Sequence, residues 1–241
     1  MAEFVFADDY ILESGKTRDF YVAFMKGMIH KNNNLVGVIQ GFGSLMLLED
    51  DLSDSLRENT EQMESAGRTM SELNKKVLTA AGCGRVECTA ANLQDMFQFH
   101  EEKAEAICRD LGVTFKFQAS PGLPAVVVDT TKFSEVFENL VRNAAESAAE
   151  TEKKAVLVEV FPPGAATSTG HVDMFIRNTS ADIPVHKIPE FYEGFYTSKG
   201  NDHFGLGLTT AAVLCGQMNI RLGIKCKDGT TAVWLAIPVA K

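Results

Sequence analysis

The sequence predicts an α+β protein in two parts: an N-terminal antiparallel helical hairpin followed by a two-layer α/β sandwich. Three observations carry that expectation. From Thr17 to about Ala81, apolar residues recur at threes, fours and sevens, the spacing of one helical face. Gly82-Cys83-Gly84 then interrupts the pattern. Beyond it the chain alternates between short strand-like runs and longer helical ones, an order that suggests helices layered on an antiparallel sheet.

In the first part, Phe24, Met28, Leu35, Val38, Phe42 and Leu45 mark one apolar stripe. After a break at Glu49-Asp50-Asp51-Leu52-Ser53, Leu56, Met63, Met70 and Val77 form one heptad row and Ala66, Leu73 and Ala80 another. This is the seam pattern of left-handed helix packing. Ser53 or Asp54 is placed to cap the second helix. A hairpin with so long a stripe cannot bury it alone, so two copies forming a four-helix bundle, and hence a homodimer, are expected.

After the glycine boundary, Arg85–Thr89 reads as a short strand and Ala91–Leu111 as a helix. Val113–Gln118 and Ala125–Val128 read as strands, and Thr131–Ala149 as a helix. Two more strands are expected at Ala155–Phe161 and Val172–Ile176, around the loop Pro162–Gly170. A long irregular stretch, Asn178–Phe204, precedes a helix at Gly205–Met218. Strands at Arg221–Cys226 and Thr231–Ile237, joined by the turn Lys227-Asp228-Gly229, close the chain. The domains expected are thus an extension at 1–16, a hairpin at 17–82 and a sandwich at 83–241.

A formal charge of -9 argues against general nucleic-acid binding, since no excess of Lys and Arg is available for phosphates. It suits partners with basic patches. Five scattered cysteines show neither metal-ligand pairing nor a secretory framework, which points to reduced thiols in the cytoplasm. The opening MAEFVFADDYILES is acidic where a signal peptide is basic, and no apolar run is long enough to insert in a membrane.

Three groups of residues carry candidate chemistry. His30 lies off the apolar stripe, so its imidazole is free to meet an incoming phosphoryl donor. Asn34 follows one turn later on the same face, where its amide can orient a water or a phosphate. Asn139 and Asn143 stand one turn apart on a helix whose other side is apolar (Val136, Phe137, Leu140, Val141, Ala144). Their carbonyl oxygens suit Mg²⁺, a hard cation shared with phosphates. Finally, Glu193-Gly194-Phe195-Tyr196-Thr197-Ser198-Lys199 precedes Phe204-Gly205-Leu206-Gly207-Leu208. Two glycines at a helix start let main-chain amides approach an anion, and Lys199 adds a mobile positive charge.

In these motifs, from about residue 20 to its C-terminal end, the chain resembles the transmitter core of bacterial sensor histidine kinases. That core is a dimerising, histidine-bearing hairpin followed by a Bergerat-fold (GHKL) ATP-binding domain, the fold shared with gyrase and Hsp90. His30-Lys31-Asn32-Asn33-Asn34 is similar to the phospho-acceptor box, and Asn139 through Asn143 to the asparagine box, with Asn143 falling on the Mg²⁺ ligand. Tyr192 through Lys199 resembles the phenylalanine box and the start of the ATP lid, while Gly205 and Gly207 fall on the second glycine box. Ile176 through Pro184 stands at the first glycine box, with Asn178 at its adenine-binding position. The resemblance implies ATP and Mg²⁺ as cofactors, His30 as phosphate acceptor, and a response-regulator receiver domain as partner.

Departures from the family pattern bear on mechanism. The acidic residue after the histidine, which serves as base, is Lys31 here. Asn178 replaces an aspartate, turning a charge-assisted hydrogen bond into a neutral one, a loss of about 1 kcal/mol or roughly fivefold in binding. Ser180 and Asp182 replace glycines, and a left-handed backbone at either would cost ~1–2 kcal/mol. Leu35 stands where a proline usually follows. The readings that result are a histidine kinase that moves the ATP γ-phosphate to His30 and on to a receiver aspartate, a histidine phosphotransferase or phosphatase that does not use ATP, and a non-catalytic scaffold.

Overall fold

The computed structural model describes residues 16–49, 51–165, 170–181, 184–195 and 204–240. The chain divides into two compact units, one ending at Gly84 and the next beginning at Arg85.

The first unit is a hairpin of α1 (Lys16–Leu47) and α2 (Asp54–Ala80). Helix α2 starts where it does because the Ser53 hydroxyl accepts the main-chain N–H of Leu56 at 3.4 Å, while Asp54 sits in the positive first turn. The interior of the hairpin differs from the expected seam. It is built from Ile29 and Val36 of α1 and Thr60, Gly67 and Asn74 of α2, each set repeating at seven residues. A Cβ on Gly67 would come within 2.7 Å of Gln40 Cγ, so any larger residue there would have to displace the Gln40 side chain. The larger apolar rows read from the sequence point outward instead. Leu35, Val38, Phe42 and Leu45 on α1, and Leu56, Met63 and Met70 on α2, are all exposed. Two helices in close contact favour small and polar residues between them, which leaves the bulky rows for another surface.

The second unit layers α3 (Leu93–Asp110), α4 (Thr130–Ala149) and α5 (Gly207–Gln217) on a five-stranded sheet. The strands are β2 (Thr114–Ala119), β4 (Ala155–Phe161), β5 (His171–Thr179), β6 (Arg221–Lys227) and β7 (Thr230–Pro238), in the order β2-β4-β5-β7-β6. Only β2 and β4 pair in parallel. A separate antiparallel pair joins β1 (Thr89–Ala91) to β3 (Val126–Val128). The first strand is thus displaced from the expected 85–89, because the Asp129 carboxylate takes the Glu87 main-chain N–H and holds the preceding chain in a loop. Helix α3 begins after Asn92, whose side chain caps Gln94 N at 2.9 Å. Two short 3-10 turns, Val185–Lys187 and Pro189–Tyr192, lie within the stretch expected to be irregular.

The core sits between sheet and helices. Phe133, Phe137, Leu140 and Val141 of α4 pack with Val156, Val158, Met174 and Ile176 of the sheet and with Leu214 of α5. Burial of each large apolar side chain contributes about 1.5–3 kcal/mol. Strand β4 alternates buried and half-buried positions, as a strand covered on one face should. Strands β5 and β7 do not alternate: residues 172–176 and 232–237 are buried without a break. The β6–β7 hairpin turns at Asp228 (φ 52) and Gly229 (φ 70), the paired positive φ values of a type I′ turn. Among the described residues, no helix is long and apolar enough to cross a membrane.

Candidate active site

Helix α4 presents its polar edge toward the start of α5. Asn139 and Asn143 are half-buried, whereas Leu140, Val141 and Ala144 beside them are buried. The Asn139 Oδ1 atom lies 3.7 Å from where a Cβ on Gly207 would stand, so a carboxamide oxygen faces the first residue of α5. The opening N–H groups of a helix have no intrahelical acceptors, and the helix dipole favours an anion there. Gly207 itself puts no side chain over those groups. The side chains of Leu206 and Leu208 are buried, so these residues anchor the turn and offer only main-chain groups to a ligand. Helix α5 begins at Gly207 rather than Gly205, because Gly205 is left-handed at φ 63.

The segment before α5 is pinned at its base. The Phe195 N–H donates to the Gly205 carbonyl at 3.0 Å, and the Thr209 hydroxyl donates to the Tyr192 carbonyl at 3.2 Å. Phe195 has φ 69, a left-handed conformation that costs a non-glycine residue about 1–2 kcal/mol. Lys199, with Tyr196, Thr197 and Ser198, lies outside the described residues.

On the other side, Asn178 is buried on β5, and its Nδ2 donates to the Thr179 carbonyl at 2.8 Å. Ser180, also buried, shares a hydrogen bond with the Thr231 hydroxyl at 2.9 Å, and its N–H donates to the Gly229 carbonyl at 3.0 Å. Its φ is not positive, so replacing glycine here carries no left-handed strain. Asp182 lies outside the described residues. The side chains at this box are thus tied to strands and main chain.

In the hairpin, His30 and Asn34 are both exposed, one turn apart on α1. Just beyond His30 lies a layer of amides that motif reading missed. Asn74, 2% exposed, donates from Nδ2 to Asn33 Oδ1 at 2.7 Å and accepts at Oδ1 from Asn32 Nδ2 at 3.2 Å. The seven-residue row Thr60, Gly67, Asn74 was the available signal.

A histidine is among the titratable groups buried away from both sites. His100 of α3 is 2% exposed, with Phe137 and Phe133 ring centroids at 5.1 and 6.0 Å, and its Nε2 lies 3.4 Å from the Ser134 hydroxyl. Burial pushes its pKa down, which the nearby Glu138 opposes and Lys103 assists. Asp129, the cap of α4, is pulled the other way by its surroundings. Partial burial pushes its carboxyl pKa up, but main-chain N–H groups of Glu87, Lys132 and Thr131 and the Lys132 charge outweigh that and hold it low. All five cysteines are free, and burial raises the Cys108 thiol to about 11, leaving it inert at neutral pH. Among the described residues, no cluster of three His, Cys, Asp or Glu is placed to hold a metal. Asn143 and Asn139, beside the α5 N-terminus, offer carboxamide oxygens, hard donors of the kind a divalent ion shared with phosphates takes.

Residues 128–241 match the family described as histidine kinase-, DNA gyrase B-, and HSP90-like ATPase. The chain is 22% identical over 209 residues to the sensory histidine kinase/phosphatase NtrB of Rhizobium leguminosarum bv. phaseoli, covering 83% of this chain and 54% of that protein. It is 24% identical over 158 residues to the sensor protein FixL of Bradyrhizobium diazoefficiens, covering 66% and 30% respectively. Its fold resembles full-length ShkA, crystallised in complex with AMPPNP, with a TM-score of 0.72 at 17% identity, over 90% of this chain and 46% of that one. The catalytic domain of histidine kinase ThkA, nucleotide-free, matches with a TM-score of 0.53 at 21% identity, over 64% of this chain and 96% of that one. Residues 128–241 therefore form a histidine kinase-, gyrase B- and HSP90-like ATPase domain. Beyond that domain the chain is similar in sequence to sensor histidine kinases, and it spans about half the length of the NtrB protein it matches.

Proposed function

We propose that the chain is a histidine phosphotransfer enzyme of two-component signalling, taking the γ-phosphoryl group of ATP onto His30 and passing it to a receiver aspartate. The observation that carries this reading is the Asn139 carboxamide set against the bare first residue of α5, Gly207, within a domain of the ATPase family. ATP would lie with its phosphates toward Gly205–Leu208 and Lys199, and with its adenine toward Asn178. Mg²⁺, held by Asn143 and phosphate oxygens, would neutralise charge on the transferring group. A ring nitrogen of His30 forms the new N–P bond as the bond from the γ-phosphorus to its bridging oxygen breaks. ADP departs and the imidazole proton passes to solvent. A receiver carboxylate then takes the phosphorus, the N–P bond breaks, and the imidazole regains a proton. Asn34, one turn along, is placed to orient a water or a phosphate oxygen.

Incubation with γ-labelled ATP and Mg²⁺, beside a His30→Ala control, tests the reading. Label that is acid-labile, base-stable and absent from the variant is expected; no label at millimolar ATP rejects it. Specific observations favour a second reading, a shuttle between receivers that does not use ATP. Lys31 supplies no base, and Asn178 and Ser180 already spend hydrogen bonds on the Thr179 carbonyl and the Thr231 hydroxyl. Calorimetric titration with ADP and Mg²⁺, with Asn143→Ala as control, separates the two, because the shuttle predicts no heat of binding.

The working unit in this proposal is a homodimer. Its support is the apolar face left open on the hairpin, where Leu35 is 65%, Phe42 64% and Leu45 61% exposed. Light scattering that shows a monomer across micromolar concentrations would reject it. The free thiols fit a cytoplasmic setting.

A further inference from the structure

The sheet of the ATPase domain has a second covered face. In β5 and β7, Met174, Ile176, Val233 and Leu235 turn toward the helices. Their neighbours in sequence must turn the other way, since side chains alternate along a strand. Yet Trp234 is 2% exposed, Phe175 4%, Ala236 1% and Asp173 0%. These residues form a separate cluster, joined by Phe161 of β4. The Trp234 indole donates to Asp173 Oδ1 at 2.8 Å, and the Arg177 guanidinium lies 5.0 Å from the Phe175 ring centroid.

The sheet alone does not account for this burial. Across β7, Trp234 faces Phe175 on one side and Gly223 on the other, while Ala232 and Ala236 flank it on its own strand and face. Glycine and alanine build a low floor that cannot shield an indole. A face open to water would leave β5 and β7 alternating as β4 does. Helices α3, α4 and α5 pack on the opposite face, so something further lies over Trp234.

We propose that residues 1–12 of this chain, Met-Ala-Glu-Phe-Val-Phe-Ala-Asp-Asp-Tyr-Ile-Leu, are that cover. They lie outside the described structure, and two features suit them to the site. Extended, the segment puts Phe4 and Phe6 on one side, spaced to seat on the low floor around Trp234. It also carries Glu3, Asp8 and Asp9 with no Lys or Arg, whereas the floor is edged by Arg221 and Lys225, and by Arg177, which pairs with Glu159 at 2.7 Å. The outer face of the sheet is thus an intramolecular docking site for an acidic, aromatic strap.

Trp234 is the one tryptophan in the chain, so its fluorescence reports the cover directly. The full chain, a form lacking residues 1–12, and a full-length Phe4→Ala/Phe6→Ala variant are compared for emission maximum and acrylamide quenching. The proposal expects a red shift and several-fold stronger quenching in both altered forms, reversed by a synthetic peptide of residues 1–12. Unchanged emission and quenching in both would overturn it. A shift that instead follows dilution of the unaltered chain would also overturn it, assigning the face to a second copy.

Discussion

Replacing Gly207 with alanine separates the folding role of the α5 N-terminus from its ligand role. The new Cβ would lie 3.7 Å from Asn139 Oδ1, an ordinary contact, and Gly207 has no positive φ to forbid a side chain. Alanine should therefore restrict the unfolded chain without straining the folded one, a gain of about 0.4–1 kcal/mol. For a chain of this size that raises Tm by roughly 1–4 °C. The same methyl stands where an anion would reach the first N–H groups of α5. Loss of one charge-assisted hydrogen bond, about 1.5–3 kcal/mol, weakens Mg-ADP binding by roughly ten- to a hundredfold. Calorimetry reads both numbers on one preparation. A raised Tm with unchanged affinity would refute the placement of phosphate at Gly207, and a lowered Tm would refute the packing argument. Gly205→Ala is the contrast: at φ 63 it should lose about 1–2 kcal/mol of stability whatever its effect on binding.

Further expectations follow from the same geometry. Lys31→Glu restores a base beside His30 and should raise autophosphorylation, by up to about a hundredfold or more if proton removal limits the rate; an unchanged rate in a labelled-ATP time course rejects Lys31 as the defect. Asn74→Ala removes the amide joined to Asn32 and Asn33 and should cost about 1–3 kcal/mol, read as a lower denaturation midpoint of the helical signal. His100 has a folded pKa below its unfolded value near 6.5, so between those values the unfolded chain binds the extra proton. Its contribution to stability is therefore complete above pH ~6.5 and falls as the pH is lowered, by at most about 1.4 kcal/mol per pH unit. Denaturant titrations from pH 5 to 8 should show that slope, and His100→Phe should flatten it.

Much of the architecture was legible because local rules and tertiary packing agree. Ser53 caps α2 as expected because its side-chain oxygen reaches a free N–H of the first turn; Asn92 and Asp129 cap α3 and α4 the same way, at positions the periodicity did not single out. Asp228-Gly229 turns because both residues tolerate positive φ. The hairpin interior was misassigned for a physical reason. Heptad spacing marks apolar rows without saying which face meets which helix, and the row that packs inside runs through Thr60, Gly67 and Asn74. In the candidate site, the placement of Asn139 on a polar helix edge could be read from periodicity, but its position against Gly207 could not, since the two are far apart in sequence.

The sequence alone determined the two-part layout, the start of α2, and the presence of an exposed histidine and paired asparagines, all properties of short-range spacing and side-chain chemistry. Only the tertiary structure decided what those groups confront. It turned the bulky hairpin rows outward, tied Asn178 to its own main chain and Ser180 to β7, set Asn139 against the start of α5, and buried Trp234 on the face away from the helices. Each of these depends on contacts between distant segments, where close packing and hydrogen-bond satisfaction outweigh local preference.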